Sequence, residues 1–529
     1  MTQWLVSFDT DRIKEYLFAT STLSDIREAS ALLDRLNNQI GTAIVGVYPQ
    51  FDPDDPGQLI YAAGGGAMAL LPTKEIAERA IREVEKLYRQ ETVIASITGE
   101  KVEIKEGDHF GEKAHYLGHL LRKRKGEKGK PRVLPVAPFM RFCDACAQHP
   151  AVEVEGDEFI CRACQVKRQR AKSEARRGLW KKLIEVTQED KLPDEFPDEW
   201  QPLLDETLNK TYELHEFPRD FNDIGKSARR SGYIALIYAD GNSMGNVLQK
   251  LPDAGAYRAF SQQVDDLLRR VTYKALMAQV VGRIHAPLFE VLMIGGDDLM
   301  LVTTPEMAFD VTLQFMQDFE QYSRPLGQRY GFGHLSLGTG IVIAKDSFPI
   351  QVMKDLATDL QKKKAKQRSF ETGGGGAVDF MVVTSAGSES LDHIRDEVLT
   401  EKGFAFPPRP GGPAYRLTQR PYTIEELNRL IEHGQAIKRE NVSQSQLQAM
   451  YEGVFHSPVQ ASLAALQTMG RVEKKQRKAL RDFFAAFGPK SPLQFPPWRA
   501  TQCLDPEKNE KVPCRDTALA DLIEIYPFI

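Results

Sequence analysis

Residues 291–302, VLMIGGDDLMLV, set two glycines and two adjacent aspartates between two four-residue apolar runs. Apolar runs bounded by turn residues read as the two strands of a hairpin, with its tip at 295–298. A plain turn accounts for glycine and a single aspartate. It does not account for two carboxylates side by side, whose repulsion is costly unless a cation or solvent offsets it. A third acid has the same setting. The near-continuous apolar run YIALIYAD (233–240) ends in Asp240. If that strand lies beside the hairpin, Asp240 meets Asp297 and Asp298. Three carboxylates at one point suit Mg²⁺ or Mn²⁺, which take oxygen ligands and leave room for phosphate and water. Gly295 and Gly296 lack side chains, so a nucleotide phosphate could approach the backbone closely. The chemistry expected of such a set is metal-dependent phosphoryl or nucleotidyl transfer.

A triphosphate needs a basic partner. DLATDLQKKKAKQR (355–368) supplies Lys362, Lys363, Lys364, Lys366 and Arg368 at a helix end, and Lys364 or Lys366 is expected to reach phosphate. The competing reading is a solvated cluster favoured by the helix dipole. A second chemistry is carried by cysteine. CDAC and CRAC place Cys143, Cys146, Cys161 and Cys164 in a C-x₂-C-x₁₄-C-x₂-C pattern. Four thiolates from two tight turns suit a closed, structural zinc site. Cys503 and Cys514 stand apart and are expected to be unpaired. His115 and His119 sit four apart without a nearby acid and read as ordinary polar residues. Two basic runs, 122–132 and 167–182, flank the cysteines with seven and eight Lys or Arg and one acid each. They are candidates for neutralising RNA phosphates, against the alternative of solvated loops. The first run is glycine-rich and could be disordered without its partner.

These residues need elements to position them. A strand at 4–9, a helix over 24–44, two short strands at 59–72, a helix at 74–91 and a strand at 93–99 give the order β-α-β-β-α-β, which is ferredoxin-like. The order returns with the strand at 233–240, a helix at 256–281, the hairpin, a helix at 305–323 and a strand at 335–344. The chain therefore reads as two diverged copies of one α+β unit. Between them lies a basic, helical, cysteine-bearing segment, and beyond the breaker-rich FPPRPGGPAY (406–415) the pattern is helical. The expected fold is α+β, with domains at 1–110, 111–230, 231–400 and 401–529.

The 529 residues are 42% hydrophobic and 27% charged, with net charge −4, so the whole protein is no generic polyanion binder. No apolar run reaches the roughly 18 residues of a membrane span. The start carries no secretory pattern. Six cysteines in so long a chain do not suggest a disulfide scaffold, and the expected compartment is the reducing cytoplasm.

An Asp-ended first strand beside a Gly-Gly-Asp-Asp hairpin resembles the palm of polymerases and of GGDEF-type nucleotide cyclases. Two such palms, a four-cysteine module between them and a helical C-terminal domain are similar to the large signature subunit of type III CRISPR effector complexes. The opening FDTDRIKEYLFATSTLSDIREASALLDRLN resembles the start of that family's first palm. The resemblance covers nearly the whole chain. It implies synthesis of cyclic oligoadenylate messengers from ATP once target RNA is bound. The implied partners are a guide RNA and the other effector subunits. By the same resemblance Asp297, Asp298 and Asp240 are the metal-binding catalytic set, and Ser243 approaches the nucleotide. The first palm, with AAGGGAMALL and no acid in its hairpin, would hold a second ATP through Gly65 and Gly66. Two departures stand out. Where many relatives carry Asp-Gly-Asp, this chain has Asp240-Gly241-Asn242, which puts the second metal in question. No His-Asp dipeptide of the family's nuclease domain is present, so no intrinsic DNase is expected. Two other functions compete: a GGDEF-like cyclic dinucleotide cyclase, and a catalytically weak palm that only scaffolds a ribonucleoprotein.

Overall fold

The structure is a computed structural model; it describes residues 2–128, 139–171, 200, 218–280, 288–383, 391–394, 399, 414–488, 496–505 and 510–529. The domain linker at 406–413 and most of the second basic run lie outside these residues.

The first unit is a four-stranded antiparallel sheet of β1 (Thr2–Asp11), β2 (Leu59–Ala63), β3 (Gly66–Leu71) and β4 (Ser96–Lys105). Its order is β2-β3-β1-β4, the ferredoxin-like arrangement. Helices α1 (Ile13–Leu17), α2 (Leu23–Asn38) and α3 (Ile40–Val45) lead from β1 to β2. The single helix expected over 24–44 is thus broken at Gln39. Helix α4 (Lys74–Thr92) starts at Thr73, whose hydroxyl accepts from the Ile76 amide as an N-cap.

The second unit repeats the arrangement. Strands β7 (Tyr233–Gly241), β8 (Phe289–Gly295), β9 (Asp298–Thr303) and β10 (Leu337–Lys345) take the order β10-β7-β9-β8, and β11 (Ala377–Val382) and β13 (Tyr422–Thr423) extend the sheet beyond β10. The apolar run in β7 is explained by burial on both faces. Ala235, Ile237 and Ala239 enter one core, and Ile234, Leu236 and Tyr238 enter another. That second core is shared, because Val6, Phe8 and the α2 leucines of the first unit pack into it. The two units are therefore fused by a common apolar core. A buried ion pair crosses the seam, with Arg27 Nε of α2 donating to Glu290 of β8 at 3.0 Å.

Between the units, α5 (Phe110–Glu127) precedes the cysteine module, which holds the hairpin β5 (Glu153–Glu155) and β6 (Glu158–Ile160) and helix α6 (Arg162–Ala171). The C-terminal region is built on four helices between Ile424 and Phe487. It adds a small sheet of β12 (Ala414–Arg416), β15 (Glu510–Asp516) and β14 (Arg499–Asp505), which the sequence pattern did not suggest. In that sheet Cys514 is disulfide-bonded, which corrects the expectation that Cys503 and Cys514 are unpaired. The hairpin register sets Thr501 opposite Cys514 and Cys503 opposite Val512, so two cysteines eleven residues apart in sequence lie on adjacent strands. Among the described residues no helix is long and apolar enough to cross a membrane.

Candidate active site at the hairpin of the second sheet

Asp240 lies at the end of β7, and Asp298 opens β9 beside it: Ala239 pairs with Leu299, and one further step along the ladder brings Asp240 opposite Asp298. Asp297 sits in the turn, close against Gly241. The structure thus brings the three predicted acids to one sheet end. Gly296 has φ +61°, the left-handed region that favours glycine. Asp265 of the long helix α7 (Ala254–Val280), a residue that sequence reasoning missed, fixes this turn. Its Oδ1 accepts the Gly296 amide at 2.7 Å, and Arg269 Nε donates to its other oxygen at 2.8 Å. On the opposite side the Tyr238 hydroxyl donates to Asp298 Oδ1 at 2.9 Å. Asp265→Ala should therefore release the hairpin tip. The expected result is a loss of about tenfold or more in kcat with a small change in melting temperature, checked by initial rates and thermal unfolding.

The electrostatics favour a cation at this site. Burial, then the Asp240 charge, pushes Asp297 up to about 6. Burial and Asp240 push Asp298 up to about 7, against Lys14 and the Tyr238 hydroxyl, which oppose the rise. A divalent ion would reverse this, and an all-oxygen donor set suits Mg²⁺ or Mn²⁺. The acids are looser than a closed metal shell. Among the described residues, the one set of His, Cys, Asp or Glu whose ligand atoms all lie within 4.8 Å is the cysteine cluster. Part of the reason is Lys366, whose ammonium pairs with Asp240 Oδ2.

The lysine cluster is set by a local irregularity. Leu360–Ala365 is a π-helical turn between Ile350–Asp359 and Lys366–Glu371. It aims Lys366 and the buried Gln361 at Asp240, with Gln361 Nε2 3.3 Å from Oδ2. Lys364 is half-buried on the same turn, and Lys362 and Lys363 are exposed. Such turns recur at functional sites because they re-aim side chains.

Asn242, the amide that follows Asp240 and Gly241, is tied down. Its Nδ2 donates to Ser336 Oγ at 2.9 Å, while its Oδ1 is buried and has no partner. An orphaned buried oxygen is a costly group that a cation would satisfy, so the residue fits a ligand role without bringing charge. Ser243 is exposed and takes the left-handed conformation, with φ 56°, at the start of Met244–Leu248.

The first unit's hairpin meets the second's directly. A Cβ on Gly295 would stand 3.0 Å from Gly64 Cα, and one on Gly64 would stand 3.3 Å from the Gly295 carbonyl oxygen. Gly64, missed by the sequence reading, is thus the glycine that faces the aspartate-bearing turn. Gly65, with φ +80°, packs against Ile13, and its carbonyl accepts from the Thr10 amide at 2.9 Å. Gly66 lies close to the Phe8 carbonyl. Gly64→Val combines a β-branched residue at φ +62° with this contact. It should displace the catalytic turn and lower both melting temperature and product yield, read by calorimetry and product chromatography.

The first unit keeps acids at the end of its own first strand. Asp9 pairs with Gly66 as Asp240 lines up with Asp298, which makes Asp9 and Asp11 the counterparts of Asp240 and Asn242. Here the cation is supplied by the chain. Lys125 Nζ of α5 lies 2.6 Å from Asp9 and 3.5 Å from Asp11, and Lys128 lies 3.8 Å from Asp11 and 3.2 Å from Glu85. Arg124 joins Glu85 at 3.1 Å. The described part of the first basic run is therefore folded onto the sheet. The start of the second is also engaged, with Lys167 buried and Arg168 paired to Asp25 at 3.0 Å.

The four module cysteines are buried, and Cys146 and Cys161 Sγ are 3.8 Å apart. Tetrahedral zinc with Zn–S bonds of about 2.3 Å has sulfur–sulfur edges near that length, so the cluster fits zinc. The Cys146 contact and burial push the Cys161 thiol up to about 11, against the contact with Cys164. His115 and His119 stack edge to face at 4.7 Å, and the His119 ring meets Arg122.

Residues 233–371 match the family model described as Cas10/Cmr2, second palm domain. No curated protein sequence matches the chain. Solved structures similar to it include a Csm1-Csm4 cassette in complex with cA4, at 15% identity and TM-score 0.55 over 89% of this chain and 65% of that one. The same cassette in complex with pppApApA matches at 14% identity and TM-score 0.56, over 90% and 65%. Csm1 in T. onnurineus matches at 16% identity and TM-score 0.54, over 89% and 64%. At these identities the likeness is one of fold, and the chain spans about two thirds of the length of these relatives.

Proposed function

We propose that this chain, whose residues 233–371 match the Cas10/Cmr2 second palm domain, is the nucleotidyltransferase subunit of a type III CRISPR effector complex. On this reading it makes cyclic oligoadenylates from ATP when target RNA is bound. Its partners are ATP, a guide RNA and the other effector subunits. The observation that carries the reading is the convergence of Asp240, Asp297 and Asp298 at one sheet end, on a glycine turn that presents backbone rather than side chains. Relatives of the same fold have been captured with cA4 and pppApApA, which supports an adenylate substrate.

The residues divide the work. Asp240, Asp297 and Asp298 would hold Mg²⁺ or Mn²⁺, which supplies charge neutralisation at phosphate and activation of the attacking hydroxyl. Tyr238 occupies Asp298 Oδ1 and leaves Oδ2 to face the site. Asp265 holds the turn still. Gly295 and Gly296 let phosphate lie against the backbone. Lys366, paired with Asp240 in this state, is the ammonium placed to move onto phosphate charge once Asp240 has another partner. Gly64 brings the first palm against the catalytic turn, so a nucleotide on one palm would lie near the other. The test is chromatography of products after incubating the complex with ATP, Mg²⁺ or Mn²⁺, and target RNA. Adenylate rings or chains support the reading. ATP left intact under all these conditions would favour the scaffold function that Asn242 suggests.

A further inference from the structure

The geometry points to Lys14, carried by the first palm, as a positioning residue for the catalytic aspartate Asp298 of the second. The assignment rests on the nucleotidyl-transfer reading of that site. The Lys14 ammonium lies 3.7 Å from the centroid of the Tyr238 ring, and the Tyr238 hydroxyl donates to Asp298 Oδ1 at 2.9 Å. Among the described residues this ammonium makes no ion pair and no hydrogen bond, although it is half-buried. A half-buried cation without an anion in contact is costly, so its place over the ring calls for a compensating role.

That role follows from aromatic electrostatics. A cation over a phenol face is attracted by the ring quadrupole. It also draws electron density from the ring, which makes the hydroxyl a stronger donor. The bond from Tyr238 to Asp298 is thereby tightened, and one carboxylate oxygen is fixed while the other is left for the reaction. Burial lowers the Lys14 pKa, and the charges of Asp298 and Asp240 oppose this, which agrees with a lysine facing the same acids.

The lysine is held from behind. Arg12, ahead of α1, adopts the left-handed conformation, with φ 51° and ψ 48°. Tyr16, Leu17 and Phe18 are buried. Lys167, buried in the helix that carries Cys164, donates to the Tyr16 carbonyl at 2.7 Å and lies 4.1 Å from the Tyr16 ring centroid. Ala19 packs into the cysteine cluster itself. Helix α1 is thus a strut with one end on the cysteine module and the other on the catalytic strand. The first palm contributes to the second's chemistry through a side chain, as well as through contact between glycines.

The experiment is a double-mutant cycle in the assembled complex. Lys14→Met should lower kcat about tenfold with KM for ATP within about twofold, and Lys14→Arg should restore most of the rate because guanidinium also sits on aromatic faces. In a Tyr238→Phe background, Lys14→Met should have little further effect. A rise in KM alone would make Lys14 a phosphate contact and overturn the assignment, as would an equal loss in both backgrounds or no loss at all. A wild-type complex that makes no product fails the nucleotidyl-transfer reading instead. The positioning role is then read by titrating the chain with Mn²⁺, followed by electron paramagnetic resonance without nucleotide. Lys14→Met should weaken Mn²⁺ about threefold in the wild-type background and not in Tyr238→Phe. Tighter binding, or the same effect in both, would show a lysine that acts only as a repelling charge.

Discussion

Replacing Asp297 and Asp298 together by alanine is expected to abolish product formation while leaving the fold intact. A loss of ~10³-fold or more corresponds to roughly 4 kcal/mol of transition-state stabilisation, a plausible cost for losing a catalytic metal site. The fold should survive because Asp297 and Asp298 lie at the tip of the hairpin, and the ladder from Leu299 onward does not depend on them. Stability gives a second readout with a defined sign. Both carboxyls are raised in the folded state, to about 6 and about 7. Between the ordinary carboxylate range and pH 7 the folded protein thus binds more protons than the unfolded chain, and stability falls as pH rises through that window. Metal-free wild type should therefore melt lower at pH 8 than at pH 5.5. The double variant should lose much of that dependence and melt as high as wild type or higher at pH 8. Mg²⁺ or Mn²⁺ should raise the wild-type melting temperature at pH 8 and leave the variant unchanged. Calorimetry at two pH values, with and without metal, decides it. Adenylate product at a normal rate from the double variant would reduce the hairpin to a turn.

Stripping the cysteine module of metal is expected to unfold it. Among the described residues its own apolar cluster holds Ile160, Ala163, the four cysteines and Ala19 from the first palm, with Ala145 packed against it. That is far too little to order a segment of this size without a cross-link. We expect about one zinc per chain by metal analysis. Cys161→Ser should lose it and expose residues 140–170 to limited proteolysis. The damage should spread along a defined path, because Lys167 and Arg168 of that module hold Tyr16 and Asp25 of the first palm. Hydrogen exchange should therefore rise in α1 and the start of α2 as well as in the module. A protein with reduced cysteines, no zinc and normal protection at 140–170 would rule out a structural metal there.

The parts of this site that could be read in the sequence are those whose signal is local. Asp297 and Asp298 stand next to two glycines between two apolar runs, and Asp240 ends a run buried on both faces. The ferredoxin-like order follows from alternating strand and helix patterns in both units. What escaped is whatever depends on contacts across the chain. Asp265 reads as half of an ordinary helical pair with Arg269, and only the fold shows the Gly296 amide on its other oxygen. Gly64 is one of three consecutive glycines, and nothing local marks it as the one that meets Gly295. Which of Lys364 and Lys366 pairs with Asp240 turned on a π-helical turn, which adds a residue to one helical turn and so rotates everything after it by about 100°. Lys125 and Lys128 looked free for RNA because their charge was visible and their partners, more than eighty residues upstream or on α4, were not. Cys514 escaped for a different reason: the strands that carry it and Cys503 were read as part of a helical region, so their eleven-residue separation did not suggest a hairpin.

The lysine clasp on Asp9 and Asp11 makes the two palms unequal toward their surroundings. An ammonium on a side chain cannot exchange, cannot be chelated and does not discriminate between magnesium, manganese and calcium. On the proposed reading Asp297 and Asp298 of the second palm, and Asp240 once Lys366 leaves it, would instead equilibrate with whatever divalent ions the solution offers. A chelator too weak to take zinc from the cysteines should then act on one half of a pseudo-symmetric molecule and leave the other in its working shape. High salt should do the reverse, loosening the half-exposed Lys125 pairs while the deeper hairpin is shielded. On the proposed reading the first palm carries permanent ammonium counter-ions and the second would add a removable one, and only the removable one could serve as a switch.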